Sequence, residues 1–495
     1  MLYDVIIIGA GVIGGAIARA LSQYQLSVLC LEKETDVSCG VSKANTGIIH
    51  SPSLIHGGTK KAEYTIRGNI KFEQLGKDLG VQVQWPGALI LAYSEENRSQ
   101  LVTYKKQGED TRDLFSAGDG QYRFIEKEEL LEMEPFLNEE VQCALFVPDA
   151  GRIIPYEFTI ALWENAIEKG VLLELNQSVE SVTREANSNW LVKTGKGEYQ
   201  SRFVVNSAGH GSNDIGLQAG FKDSSIQKVK GQYLIYDQAR DFDINHILFQ
   251  VPSKDKGKVG KGILVCKTVY GNLMIGPDAQ WVKRDDDSST DLDTLSEVLE
   301  GARKTIPRLD IKKIIKTFAG VRPKPDGGDF IIEFKNHFVH LCGIESPGLT
   351  SSPAIAEDVL SLLKEEGLDL TPNPFFNPIR KPVVDSILHL SGKELKERVE
   401  LPDSDPDQIV CRCEQVPRAR IIDAIQRGIY VNTLDGVKRR TRAGQGRCQG
   451  AFCGKRVTKL LSEELGVSVD AITQRGTEVL ENRITAKDFL GDYTT

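Results

Sequence analysis

Four cysteines near the C-terminus carry the plainest chemistry in the chain. Cys411-Arg412-Cys413 and Cys448-Gln449-Gly450-Ala451-Phe452-Cys453 form a C-x-C arm and a C-x4-C arm separated by 34 residues. Four thiolates suit a tetrahedral metal or a cluster. Structural zinc sites favour C-x2-4-C arms, whereas four thiolates around two irons are normal for [2Fe-2S], so the cluster comes first, zinc second and free thiols last. A second chemical signature lies at the other end. Gly9-Ala10-Gly11-Val12-Ile13-Gly14 is followed 18 residues later by Glu32. Gly9 permits a tight turn, Gly11 lets a pyrophosphate approach the backbone, Gly14 allows close helix packing, and Glu32 is placed to accept ribose hydroxyls. That pattern binds a dinucleotide without saying which.

The elements that must position these residues follow from hydrophobic periodicity. Val5 to Ile8 is a continuous apolar run, as a strand buried on both faces requires. Ile13, Ala16, Ile17, Ala20 and Leu21 recur at helical spacing, and Ser27 to Leu31 returns as a strand, which completes a βαβ unit. Strands are expected at Leu173–Leu175, Trp190–Thr194 and Phe203–Val205, the last entering Asn206-Ser207-Ala208-Gly209-His210-Gly211. Residues 230–280 alternate apolar and polar positions with glycine breaks, which predicts an antiparallel sheet inserted in the first domain. Phe338 to Leu341 is another strand, ending at Gly343 before a helix opened by Gly348-Leu349-Thr350. Six prolines between 372 and 406 predict a linker over 366–408. Around the four cysteines, Ile421, Ile422 and Ile425, then Val457, Leu460, Leu461 and Leu465, make two short helical faces of a small domain over 409–466. The tail 467–495 shows only a weak helical pattern, and residues 60–150 carry no motif.

Five ordered motifs then point to a family. Ser42-Lys43-Ala44-Asn45-Thr46-Gly47-Ile48-Ile49-His50, Val204 to Gly209, Gly276-Pro277, Gly320-Val321-Arg322-Pro323 and Gly343 to Thr350 resemble, in order, the D-amino-acid-oxidase-like flavoproteins, and within them the anaerobic glycerol-3-phosphate dehydrogenases. The resemblance covers about residues 1–365. It implies an α/β fold: a Rossmann-like FAD domain (about 1–60, 150–225 and 325–365) with an inserted α+β substrate domain (mainly 60–150 and 226–325). It implies bound FAD, touched by Ser42, Asn45, Thr46, Gly47, Ala208, Gly209, Gly343, Gly348, Leu349 and Thr350 besides the fingerprint residues. Cys411-Arg412-Cys413-Glu414, Thr441 to Gly444 and Gly446 to Gly450 resemble bacterioferritin-associated ferredoxin-type domains, which also end those dehydrogenases, and this implies a [2Fe-2S] cluster on Cys411, Cys413, Cys448 and Cys453.

An enzyme of this kind moves hydride from a carbinol carbon to flavin while a base takes the hydroxyl proton, and histidine is the usual base near neutral pH. His50 matches the family's flavin-proximal histidine, although alone it reads more readily as a structural histidine. Arg322 matches the arginine that binds the substrate anion; its planar fork holds phosphate or carboxylate with two hydrogen bonds. Lys261, Lys267 and Ser346 are further candidate pocket donors. Where relatives often carry Thr-Pro-Thr this chain has Cys266-Lys267-Thr268, which places the substrate between glycerol 3-phosphate and a 2-hydroxy or amino acid. Cys266 and Cys342 read as packed small hydrophobes. Lys438-Arg439-Arg440-Thr441-Arg442 with Arg447 forms a basic run that reads as a solvated helix face or a dock for an acidic redox partner.

Composition bounds the remainder. With 61 Lys+Arg against 69 Asp+Glu the net charge is −8, which argues against nucleic acid as a partner. No apolar run approaches the ~18 residues of a membrane span, and the N-terminus lacks a signal-peptide pattern, so the expected location is the cytoplasm, peripheral to a membrane only through a partner subunit. The expected reaction is oxidation of glycerol 3-phosphate to dihydroxyacetone phosphate, with electrons relayed to a redox partner or quinone. The rivals are an L-2-hydroxyglutarate or amino acid dehydrogenase and an electron-transfer subunit.

Overall fold

The computed structural model describes residues 1–55, 57–117, 120–238, 244–251, 262–384 and 389–476. Met1–Lys33 with Val37–Lys381 form one unit, and Glu34–Asp36 with the chain from Pro382 onward form a second.

In the first unit, Val5–Ile8 is buried on both faces because its strand, Leu2–Ile8, runs parallel between Val28–Leu31 and Gly197–Asn206. Each fully buried valine or isoleucine there contributes roughly 1.5–3 kcal/mol. Leu172–Glu174 extends this sheet on one side, and Phe338–Cys342 with Ile331–Lys335 extends it on the other. Helix Val12–Leu21 buries Ile13, Ala16, Ile17 and Leu21, while Ala20 stays half-buried. Its neighbour Trp163, in helix Pro155–Glu168, is fully buried and donates its indole N–H to Ala10 O at 3.1 Å.

The inserted sheet runs Gln280–Trp281, Ile226–Gln238, Asn272–Gly276, Leu264–Lys267, Ile247–Gln250, Ala88–Ala92, Cys143–Val147, Arg123–Glu126, with Ile314–Pro325 added to Ile226–Gln238. It is antiparallel except where Ile247–Gln250 meets Ala88–Ala92 in parallel. Alternation puts Leu89 and Leu91 in one core, Ala88, Ile90 and Ala92 in the other.

Two boundaries differ from those read in the sequence. Within 60–150, helices Lys60–Asn69 and Phe72–Leu79 belong with the nucleotide fold rather than the inserted sheet: Tyr64 and Arg67 bond Asp358 on helix Gly348–Glu365, and Phe72 stacks on Phe158 at 5.0 Å. The span 366–408 is no free linker. Residues 366–381 belong to the first unit, where Gln25 N–H bonds Thr371 O, and the rest carries helix Gly392–Val399, started by a capping box of Ser391 and Glu394.

The second unit is a small helical domain. Helices Arg418–Ile425, Leu434–Thr441 and Gly454–Leu465 enclose Ile421, Val437, Val457 and Leu461. Fully buried Ile472 joins this core, so the domain extends past 466 into the tail. Residues 477–495 lie outside those described.

Candidate functional site

The dinucleotide turn is shaped by the side chains it lacks. Gly9 has φ +99°, and a Cβ on Gly14 would stand 2.1 Å from Gly9 O, so neither position admits another residue. Helix Val12–Leu21 starts at Gly11 with no side-chain cap of its own; Ser42 Oγ instead accepts the Val12 N–H at 2.9 Å. Glu32 is buried, and one of its carboxylate oxygens accepts the Ala10 N–H at 2.6 Å. A helix N-terminus with glycine in place of side chains, and a buried acid beyond the next strand, fit a dinucleotide pyrophosphate and ribose.

The loop from 41 to 50 is stitched to this turn and to the helix at 348. Asn45 spends its amide on the loop itself: Oδ1 accepts the Gly47 N–H, and Nδ2 donates to Val41 O and Ser42 O. Thr46 is half-buried beside it. Gly47 has φ +68°, with Ile153 O where a Cβ would sit. At the loop's end His50 N–H donates to Thr350 Oγ1 at 2.9 Å, and that hydroxyl donates on to Ile48 O. His50 then lines a cleft with Ser51, Ile90, Val147 and Phe249.

Behind His50 lies a polar network that no sequence motif announced. Asn69 Nδ2 donates to His50 O at 3.1 Å and to Asp149 O at 2.8 Å. Tyr122 joins Ser51 Oγ at 2.8 Å and donates to Asp149 Oδ2, which also pairs with Arg112. Burial pushes the Asp149 carboxyl and the Tyr122 phenol upward. A lone asparagine or tyrosine in a region without a motif carries no signal a sequence reader could use.

Arg322 sits on strand Ile314–Pro325 opposite Val229. Two residues earlier a Cβ on Gly320 would meet Ala44 O at 2.3 Å, so the strand approaches the 41–50 loop closely. His210, from the turn after Gly209, anchors the adjacent carbonyl of Val321 through Nε2 at 2.8 Å. Arg322 is partly buried, forms an ion pair with Glu345 at 3.4 Å, and keeps a buried Nε without a hydrogen-bond partner. Glu345, Ser346, Gly348 and Leu349 follow Gly343, whose φ is +64°. Ala208 and Gly209 form the turn after the Gly197–Asn206 strand. Lys267 ends strand Leu264–Lys267 with its carbonyl bound by Arg152, and Lys261 lies outside the described residues. Cys266 and Cys342 are fully buried; burial pushes the Cys266 thiol up to about 12, which leaves it unreactive.

In the second unit the four thiols come together as two pairs. Cys413 and Cys448 sulfurs are 3.6 Å apart, and a Cys411–Cys453 hydrogen bond pulls the Cys411 thiol down and pushes Cys453 up. Among the described residues no three ligating side chains surround a single ion position. Four cysteine thiolates carried on two arms fit a [2Fe-2S] cluster. The loop leaves room through glycines: Gly444 and Gly450 have φ +89° and +90°, and a Cβ on Gly446 would stand 2.6 Å from Cys413 Cβ.

The basic run is not a solvated face. Arg439 and Arg440 are buried and converge on Asp36, with Arg440 bidentate at 2.7 Å, while Arg442 is buried against Glu414 at 2.7 Å. Only Arg447 of the basic residues named there is fully exposed. Despite its burial, Arg440 and Arg439 hold Asp36 down to about 2.

Comparison with known proteins agrees with this geometry. Residues 4–362 match the FAD dependent oxidoreductase family, and residues 409–463 match the BFD-like [2Fe-2S] binding domain. The chain is 38% identical over 474 residues to a glycerol 3-phosphate dehydrogenase of Caloramator mitchellensis, covering 95% of this chain and 96% of the relative. It is 26% identical to the anaerobic glycerol-3-phosphate dehydrogenase subunit A1 of Haloferax volcanii, over 93% of this chain and 83% of that one. Among solved structures, the dithionite-reduced L-alpha-glycerophosphate oxidase of Mycoplasma pneumoniae with FAD bound is similar with a TM-score of 0.72 at 29% identity, covering 78% of this chain and all of that one.

Proposed function

The chain belongs to the FAD dependent oxidoreductase family, and from that premise we propose that it oxidises sn-glycerol 3-phosphate to dihydroxyacetone phosphate and passes the electrons to a redox partner. The observation that carries the reading is Arg322: a partly buried guanidinium with an unpartnered Nε, on a strand whose Gly320 touches the loop that ends in His50. The near full-length likeness to a glycerol 3-phosphate dehydrogenase supports a phosphate as its anion.

FAD, when bound, accepts the hydride, and the [2Fe-2S] cluster hands electrons on one at a time. Gly9, Gly11, Gly14, Glu32, Ser42, Gly47, Ala208, Gly209, Gly343, Gly348, Leu349 and Thr350 would hold the dinucleotide. Asn45 shapes the 41–50 loop through its own hydrogen bonds, and Asn45 and Thr46 would add to the dinucleotide contacts. His50 takes the hydroxyl proton of the substrate; its main chain is fixed from both sides by Thr350 and Asn69, so the imidazole is presented from a rigid loop. Arg322 holds the phosphate, with Ser346 a further donor. Cys411, Cys413, Cys448 and Cys453 hold the cluster, and the acceptor beyond it is a partner subunit or a quinone-linked carrier. A direct reaction of flavin with dioxygen needs no such relay, which favours a dehydrogenase. No described helix is long and apolar enough to cross a membrane.

Arg322→Ala is expected to lower kcat/KM for glycerol 3-phosphate by about a hundred- to a thousandfold, the cost of losing a charged, bidentate partner. His50→Gln is expected to lower the limiting rate of flavin reduction by about a hundredfold or more. Turnover left intact by Arg322→Ala would sink the reading.

A further inference from the structure

We propose that Glu345 is the positioning residue of the substrate-anion site, and that it acts by sharing its carboxylate between Arg322 and a second cation, Lys61. The inference rests on the reading of Arg322 as the anion holder. Lys61 Nζ lies 2.8 Å from Glu345 Oε1, and Arg322 Nη1 lies 3.4 Å from Glu345 Oε2. The Glu345 and Lys61 side chains are 6% and 13% exposed, so neither charge is dissolved in bulk water.

Lys61 occupies an awkward place for a cation. It stands in the first turn of helix Lys60–Asn69, where the helix dipole disfavours positive charge. Three features hold it there: the Asp329 carboxylate accepts the N–H groups of Lys60 and Lys61 at 2.8 and 2.9 Å, the Phe330 ring lies 5.5 Å below the ammonium, and Glu345 takes its tip. A surface lysine needs none of these.

Arg322 is gripped at one corner only. Glu345 faces Nη1, so the opposite edge of the guanidinium, Nε and Nη2, remains for a two-oxygen anion, and Nε is buried with no partner. At 3.4 Å the contact with Glu345 is an ion pair without a close hydrogen bond, and Oε2 is buried with charge compensation alone. Such a grip orients the fork and yields when a phosphate arrives. Arg322, Lys61 and Glu345 together carry a single net positive charge, which attracts an anion.

The test uses the flavin-loaded full-length protein, with inorganic phosphate as the probe ligand, followed by the shift of the flavin absorbance, and anaerobic reduction by glycerol 3-phosphate followed by stopped flow. Glu345→Gln adds one net positive charge and frees Arg322, so phosphate should bind about tenfold more tightly. The limiting rate of reduction should fall by about tenfold, because a misoriented phosphate misplaces the reacting carbon. Glu345→Asp should restore both. Lys61→Met removes a charge and leaves Glu345 to Arg322 alone, so phosphate should bind about tenfold more weakly. A merely structural role predicts affinity and rate falling together, and that result overturns the proposal, as does a Glu345→Gln protein indistinguishable from wild type. If Glu345→Gln fails to retain flavin, Lys61→Met decides alone: phosphate affinity equal to wild type refutes the clamp. Wild-type protein that is not reduced by glycerol 3-phosphate refutes the substrate instead, while the phosphate affinities still report on the clamp.

Discussion

In the first unit the dinucleotide turn is defined by absent side chains, with Gly9 and Gly14 so close that a single Cβ would collide with the backbone. In the second unit the thiol loop is defined by buried charge: Asp36 under Arg439 and Arg440, and Glu414 under Arg442. The contact of Gly14 with Gly9 is local and tolerates no substitution. Ion pairs are long-range, sensitive to pH, and costly to break singly because the surviving partner stays buried and unpaired. The same molecule therefore has one site that fails sterically and one that fails electrostatically.

The largest effect expected from that contrast is at Gly14. Gly14→Ala should yield protein without bound flavin, measured as visible absorbance per polypeptide, since the new methyl group has no place to go.

In the second unit, Asp36→Asn should destabilise the thiol domain by about 3–5 kcal/mol, the usual cost of breaking a buried pair from one side. Urea titration followed by the visible band of the cluster would read it. The same pair sets an acid limit. Because the folded pKa of Asp36 is depressed to about 2, its stabilisation is complete above the unfolded carboxyl value near pH 4 and is lost as pH falls through 2.

The first unit has its own acid sensor of opposite chemistry. His340 is buried beside Asn206, and burial holds its pKa down to about 4. The unfolded chain takes up that proton first, so stability should be full above about pH 6.5 and decline by about 3 kcal/mol as pH falls toward 4. His340→Gln should remove that slope and leave the one below pH 4 in place. A melt series over pH that shows one shared slope for both units would blur the contrast.

The smallest effect is at Ser42. Ser42→Ala removes the only side-chain acceptor described for the Val12 N–H and should cost about 1 kcal/mol, seen as a lower flavin affinity with an unchanged spectrum.

These differences also decide what the sequence made readable. The glycine turn, the 42–50 loop and the two cysteine arms are contiguous signatures, each read with the strand or helix beside it, and the structure assembles all three. What buries Arg439 and Arg440 is Asp36, some 400 residues away in the chain, and a periodic pattern carries no trace of such a partner. The prolines of 366–408 show where the chain turns, which is different from whether it is covered. Helix Lys60–Asn69, whose Asn69 braces His50 and whose Lys61 meets Glu345, lacked any motif because each of those residues acts alone.

The central claim is that one chain takes electrons from glycerol 3-phosphate at its flavin and delivers them to its cluster. Anaerobic protein carrying both cofactors, mixed with glycerol 3-phosphate and separately with L-2-hydroxyglutarate, tests it directly. The account predicts that the flavin band bleaches with the phosphate alone and that the electron paramagnetic resonance signal of a reduced [2Fe-2S] cluster then grows; bleaching with the hydroxy acid alone, or a reduced flavin beside a cluster that stays oxidised, would contradict it.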